Sequence, residues 1–293
     1  MSAEDYRQLI SACFPDLTVE HCRLLGEGWD SVAIEVGRRL IVRFPKRPDV
    51  EPQYLIERQL LPALAGALPL PIPDVALFWP GGDAYPHPFI GHHMIAGQPL
   101  SNEHLTPDRA DGIARQLGQF LAALHQFPVE QAARLGLPTG DMAAWRRRYE
   151  DQYLQIERQI LPLLASAAQA RVAAEWQAFL SDRSEWRVAL IHHDLAKEHI
   201  LYDAERGAIT GIIDWGDVAI GDPAIDFAGL LDAYGEEFVE RVLAHYQGQI
   251  DTGFQKRMRF YWGAMPLNTV LFGLTTGQDA YVQEGLSIVS SKQ

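Results

Sequence analysis

Over the first ninety-odd residues, apolar and polar positions alternate in short runs at 23–25, 31–36, 39–44, 75–79 and 89–95. A period of two marks half-buried strands, so the pattern predicts an antiparallel sheet. Gly37 between the second and third runs supplies a hairpin turn, and Gly81-Gly82 follows the fourth. Between the third and fourth runs, Leu55, Ile56, Leu60, Leu61 and Leu64 recur at helical spacing behind Pro52, which predicts a helix over 52–67 packed on the sheet. Beyond Gly97-Gln98-Pro99 the period lengthens, predicting helices over 107–127, 142–164, 171–180, 238–246 and 254–274. One stretch interrupts them: residues 188–214 hold three short β runs, VALI, HILY and ITGIID, read as one hairpin unit. The fold class is therefore α+β. Residues 1–96 form a sheet with one packed helix, residues 97–293 are mostly helical, and the boundary near Ala96 rests on the change in composition.

Composition narrows the function. The chain has 293 residues, 47% hydrophobic and 22% charged, which excludes a disordered segment and a peptide-sized binding module. Its formal net charge of −13 sets up a field that repels nucleic acid and anionic membrane surfaces and favours cationic or neutral small partners. Cys13 and Cys22 are too few for a disulfide framework or a four-cysteine metal site, so a cytoplasmic location is expected. The N-terminal stretch carries Glu4 and Asp5 where a signal peptide needs basic residues. The most apolar region, 60–79, is cut by Pro62, Pro69, Pro71 and Pro73, so no membrane segment is expected. A monomer is expected.

The chemistry-bearing residues cluster in the β interruption. His192-His193-Asp194-Leu195-Ala196-Lys197-Glu198-His199 is a polar loop between two apolar runs, with His199 five residues after Asp194. The third run ends on Asp214, twenty residues past Asp194. Two carboxylates and an imidazole at strand ends suit phosphoryl transfer from a nucleotide. One carboxylate takes the proton of the attacking hydroxyl, and the other groups hold the magnesium that bridges the phosphates. Asp194 suits the first task; His199 and Asp214 suit the second, although an imidazole is the less usual magnesium ligand.

Near the start, Gly26-Glu27-Gly28-Trp29-Asp30-Ser31 lies between two predicted strands, followed by Arg43 and Lys46 at the end of the next strand and by Glu57 on the helix. Glycines let backbone N–H groups approach phosphates, and a strand cation paired with a helix carboxylate grips them. Standing alone, the same glycines would mark an ordinary hairpin turn.

With these residues in hand, the chain resembles the aminoglycoside phosphotransferases, small-molecule kinases of the bilobal protein-kinase-like fold. LIHHDLAKEHILYD followed by GIIDWGDVAIGDPAIDFA looks like that family's catalytic loop and magnesium-binding segment. Histidine at position 199 is similar to the aminoglycoside 2''-phosphotransferases and the macrolide 2'-phosphotransferases, as are GEGWDSVAIEV and LIVRFPKRP. The resemblance implies Asp194 as catalytic base and His199 and Asp214 as Mg2+ ligands. It also implies Gly26, Gly28 and Ser31 over the triphosphate of ATP or GTP, Glu57 as the helix acid, and hinge contacts from His92, His93 and Ile95. The family's phosphate-binding lysine falls at Arg43, a rigid fork in place of a point charge. Asp226 is expected to brace the catalytic loop and Asp222 to cap a helix, while His125, His104 and the basic run 146–148 are expected to be structural or solvated.

The expected acceptor is an aminoglycoside antibiotic, whose ammonium groups call for a carboxylate rim. Asp217, Asp232, Glu236 and Glu237 are the candidates. Against this, the apolar stretch that begins with Tyr261 and Trp262 suits a macrolide ring, so macrolide phosphorylation is the alternative. Two readings lie outside the class. A zinc hydrolase would use His192, His193, Asp194 and His199, but adjacent strand histidines point to opposite faces. A catalytically inert nucleotide-binding protein is suggested by Arg43 at the lysine position. A bulky His92 facing the base would favour guanine.

Overall fold

The computed structural model describes residues 1–291. In chain order it runs α1 (Ala3–Cys13), β1 (Cys22–Glu27), β2 (Ser31–Val36), β3 (Leu40–Pro45), α2 (Glu51–Ala65), β4 (Leu77–Trp79), β5 (Phe89–His93) and β6 (Gln98–Pro99). Then follow α3 (Ala110–Gln126), α4 (Val129–Arg134), α5 (Met142–Gln159), α6 (Ser166–Ser181), β7 (Ala189–Ile191), β8 (Ile200–Asp203) and β9 (Ala208–Ile212). The chain ends with β10 (Ala219–Gly221), α7 (Ala224–Tyr234), α8 (Glu236–His245), α9 (Phe254–Thr276) and α10 (Asp279–Ser291).

The N-terminal sheet has five strands in the order β1-β2-β3-β5-β4, each antiparallel to its neighbours. Alternation sorts its faces: Leu40, Val42 and Phe44 of β3 are buried, while Ile41, Arg43 and Pro45 are only partly so. The first set packs with Val32 and Ile34 of β2 against Tyr6, Ile10 and Cys13 of α1. Helix α1 was absent from the sequence expectation, although its buried positions recur at helical spacing and Ser2 with Asp5 closes a capping box. Arg43 is thereby turned away from α1.

Helix α2 links the two parts of the molecule. Near its start Tyr54 packs with Val50 and Ile90 beneath the sheet, whereas Leu60, Leu61 and Leu64 join the large core of the helical part. The expected helix over 142–164 ends at Gln159, and a separate 3-10 turn (Leu161–Leu163) follows where Pro162 cannot donate to the helical ladder. Helices α4 and α10 were also unforeseen.

The β interruption is not one hairpin. β8 pairs with β9 on one side and with β6 on the other, whereas β7 pairs antiparallel with β10, which follows Asp214. This pairing positions the site. β7 runs into the loop of Asp194, β9 runs into Asp214, and β10 folds back on β7, so the two loops lie side by side. His192 fastens them, its Nε2–H donating to the Ile213 carbonyl at 3.0 Å. Among the described residues no helix is long and apolar enough to cross a membrane.

Candidate active site

Asp194, His199 and Asp214 each offer a ligand atom within 4.8 Å of the others. His199 ends a 3-10 turn (Lys197–His199) just before β8, and its Nδ1–H donates to the Asp194 carbonyl at 2.8 Å. That bond fixes the tautomer and leaves the Nε2 lone pair 3.5 Å from Asp214 Oδ2. A backbone-oriented imidazole beside two carboxylates is a suitable set for a divalent cation whose remaining ligands are phosphate oxygens and water. His192 and His193 stand outside this set. His192 is buried with its Nε2 engaged, and the His193 Nδ1–H donates to the Asp217 carbonyl at 3.1 Å.

The two acids are pushed in opposite directions. Enclosure in the cleft raises the Asp194 carboxyl above its ordinary value despite His199 and His192, and the Asp214 charge adds to the rise. Enclosure acts on Asp214 too, but the Arg43 guanidinium and His199 outweigh it and hold that carboxyl below its ordinary value. One group is thus the more readily protonated and the other the firmer anion.

Arg43 points from β3 to Glu57 on α2, with which it forms a buried ion pair, and its second terminal nitrogen lies 3.4 Å from Asp214. A cavity of about 330 Å³ opens beneath it, walled by Gly28, Ser31, Arg43, Asp194 and Asp214. The loop above is shaped by its own bonds: Gly28 N–H donates to the Ser31 carbonyl at 2.9 Å, and Lys46 reaches the Gly28 carbonyl at 3.2 Å. Gly26 is exposed at an irregularity in the β1–β2 register. His92 is buried, with Nδ1–H donating to the Asp74 carbonyl at 2.6 Å and Nε2 lying 3.6 Å from Glu57, so its ring faces the ion pair. His93 is exposed and bonded to Asp74 through both its backbone N–H and its ring, and Ile95 packs over Gly211.

A second, larger cleft of about 660 Å³ meets this cavity at Trp29, Asp30, Asp194 and Asp217. Asp232 and Glu198 add carboxylates to its wall. Burial and the charges of Asp194, Asp30 and Asp214 push the Asp217 carboxyl up to about 6. The remaining acceptor candidates are placed differently. Glu236 pairs with Arg259, and Glu237 pairs with Arg241 on the exposed side of α8. Tyr261 borders the cleft but is buried, its hydroxyl donating to Asp222 and accepting from Trp145 Nε1. Trp262 donates to Asp232 and borders a groove between α6 and α9.

Arg148, expected on a solvated face, borders the cleft with its guanidinium over the Trp145 ring, and it joins no ion pair among the described residues. Burial and Arg148 push the His193 imidazole down to about 4, which keeps it neutral beside Asp194. Arg148 lies about one turn after the buried Trp145 and next to the buried Tyr149 on α5, a pattern the run of three arginines obscures.

The comparisons agree with this geometry. Residues 21–261 match the model of the phosphotransferase enzyme family. The chain belongs to that family. It is 28% identical over 292 residues to viomycin phosphotransferase of Streptomyces vinaceus, covering 97% of this chain and 98% of the relative. An uncharacterised protein, YcbJ, of Bacillus subtilis is 27% identical over 86% of this chain and 83% of its own. Among solved structures, the GDP and kanamycin complex of APH(2")-IIia superposes with a TM-score of 0.89 at 29% identity, covering 97% of each chain. A macrolide 2'-phosphotransferase of type I shares the fold at 21% identity, with a TM-score of 0.79 over 100% of this chain and 99% of its own. This phosphotransferase thus has the kinase-like architecture of antibiotic phosphotransferases, and neither a zinc hydrolase nor an inert nucleotide binder is favoured by any of these likenesses.

Proposed function

We propose that this phosphotransferase transfers the γ-phosphoryl group of ATP or GTP to a hydroxyl of a cationic antibiotic of the aminoglycoside type. The observation that carries the proposal is the convergence of Asp194, His199 and Asp214 at the meeting point of two cavities, one under Arg43 and one lined with carboxylates. Residues 1–96 would hold most of the nucleotide and residues 97–293 the acceptor. In this reading Asp194 accepts the proton of the acceptor hydroxyl as the phosphoryl group leaves the nucleotide in line. Arg43, oriented by Glu57, clamps phosphate oxygens, while Gly28 and Ser31 roof them. His199 and Asp214 would hold Mg2+, which when bound would offset phosphate charge.

The aminoglycoside reading is preferred to the macrolide one on placement. Tyr261, Ala264, Leu267 and Val270, the apolar positions that suggested a macrolide pocket, are buried in the helical core. The cleft wall takes Tyr261, Ala264 and Met265 from that stretch but sets Asp30, Glu198, Asp217 and Asp232 against them. The GDP and kanamycin complex of the 29%-identical structure supports the same choice, as do both nucleotides as donors through the streptomycin and ATP complex of a more distant one.

Purified protein with magnesium and either ATP or GTP should phosphorylate kanamycin or gentamicin, read by mass spectrometry of the antibiotic. Viomycin and erythromycin belong in the same panel. Phosphorylation of erythromycin alone would replace the first reading with the second.

A further inference from the structure

Trp29 is an exposed tryptophan at the tip of the loop between β1 and β2, and it is only 43% exposed because the far end of the chain covers it. Phe272 of α9 stacks on its indole with ring centroids 3.8 Å apart and planes 7° from parallel. Tyr281 of α10 meets both rings edge-on, at 5.8 Å from Trp29 and 5.2 Å from Phe272. The backbone beneath is pinned as well: Arg47 donates to the Trp29 carbonyl at 3.0 Å and to Asp30 at 2.7 Å. Aromatic triads usually fill cores; this one lies at an opening. Trp29 belongs to the walls of both cavities, as do Asp30 and Asp217.

An indole held by two other rings and set among carboxylates presents an electron-rich face in a field that already collects cations. Ammonium and guanidinium groups bind such faces when a ring is held in place, and more strongly when carboxylates share the site. We infer that Trp29 is a specificity-determining residue of the acceptor site, where its indole, clamped by Phe272 and Tyr281, receives one cationic group of the acceptor beside Asp30. This inference rests on the cationic acceptor proposed above and adds a recognition element supplied by the phosphate-side loop. The clamp makes the element rigid, so Phe272 and Tyr281 contribute to acceptor affinity through Trp29.

The test is calorimetric binding of kanamycin and of viomycin to the wild-type chain and to W29F, W29L and F272A, with GDP binding and thermal unfolding measured on each. W29L should weaken whichever antibiotic binds by about tenfold, in keeping with one cation–aromatic contact. W29F should stay within about threefold, because a smaller aromatic face remains. F272A, which leaves the indole present but unclamped, should weaken the antibiotic by several-fold, and in each variant GDP affinity should fall by less than antibiotic affinity. Undiminished antibiotic binding by W29L, or an equal loss of GDP binding, would overturn the role of Trp29 alone. A wild-type chain that binds GDP but neither antibiotic would overturn the cationic-acceptor reading together with this inference.

Discussion

The Asp226 carboxylate accepts the backbone N–H of His193 at 2.7 Å, at a residue whose φ is +71°. Its other oxygen accepts the N–H of His192 at 3.0 Å and a bond from His125 Nε2 at 3.0 Å. A left-handed backbone at a residue with a Cβ is held only where its surroundings insist on it. Asp226 is therefore the brace that sets the direction of Asp194, while itself standing behind the loop. Asp226→Asn keeps the shape but turns one acceptor into a donor facing an N–H group. Turnover should fall by about 10² or more, by analogy with other misplaced catalytic groups, and the nucleotide should bind as before. Steady-state kinetics with direct nucleotide titration would show both.

The same residue gives a pH dependence. Burial opposes ionisation of Asp226, but the hydrogen bonds and charge of His125, with His192, hold its pKa below the ordinary 3.8. A depressed folded-state pKa contributes stability that is complete above the unfolded value and is lost as pH falls through the folded one. Thermal unfolding should therefore show an acid limb beginning below about pH 4, and Asp226→Asn should flatten it. An equally steep limb in the variant would assign acid unfolding to other carboxylates.

Asp194→Asn should lower turnover by at least about 10², the usual contribution of a positioned general base, with nucleotide affinity nearly intact. If the variant retains more than about a tenth of the wild-type rate, a residue other than Asp194 takes the proton. Asp214→Asn should act differently, raising the magnesium concentration needed for half-maximal rate by about tenfold or more, as lost metal ligation does.

Arg257 is buried between Asp222 and Asp251, with Nε 2.5 Å from Asp222 Oδ2 and one terminal nitrogen 2.7 Å from Asp251. Asp222 also accepts the backbone N–H of Ala224 at the start of α7 and the Tyr261 hydroxyl, so capping is only part of its task. Arg257→Met leaves Asp222 buried without its counter-charge and should destabilise the fold by about 3–5 kcal/mol. Chemical denaturation measures this; Arg257→Lys should recover part of it.

Gly229→Ala reverses a familiar sign. Inside a helix this change usually stabilises by about 0.5–1 kcal/mol. At Gly229 of α7 a Cβ would lie 2.4 Å from the Leu195 carbonyl oxygen, in the loop that carries Asp194. The variant should lose both stability and turnover, and the loss of turnover should exceed any change in nucleotide affinity.

Strand alternation and the spacing of the acids exposed much of this in the sequence. β2 has the expected bounds, and Asp194, His199 and Asp214 meet because strands aim the residues that follow them. What stayed hidden was pairing. Nothing local in VALI shows that its partner is Ala219–Gly221, because register between distant strands depends on contacts that only the folded chain makes. The orientation of His92 was hidden for a related reason: alternation says which face a side chain takes, and the bond to Asp74 decides where on that face its ring turns. Arg148 resembled solvent-facing charge because its supporting rings, Trp145 and Tyr149, are recognisable as a buried stripe only once α5 is packed.

Leu60, Leu61 and Leu64 of α2 are anchored in the larger core, though the helix enters from the sheet side. Severing the chain after residue 96 would consequently carry off a plug along with the sheet. The shorter fragment would bare three leucines to water, and the longer one would keep an unfilled trench, so each piece should be recoverable in a well-behaved form only in the presence of the other.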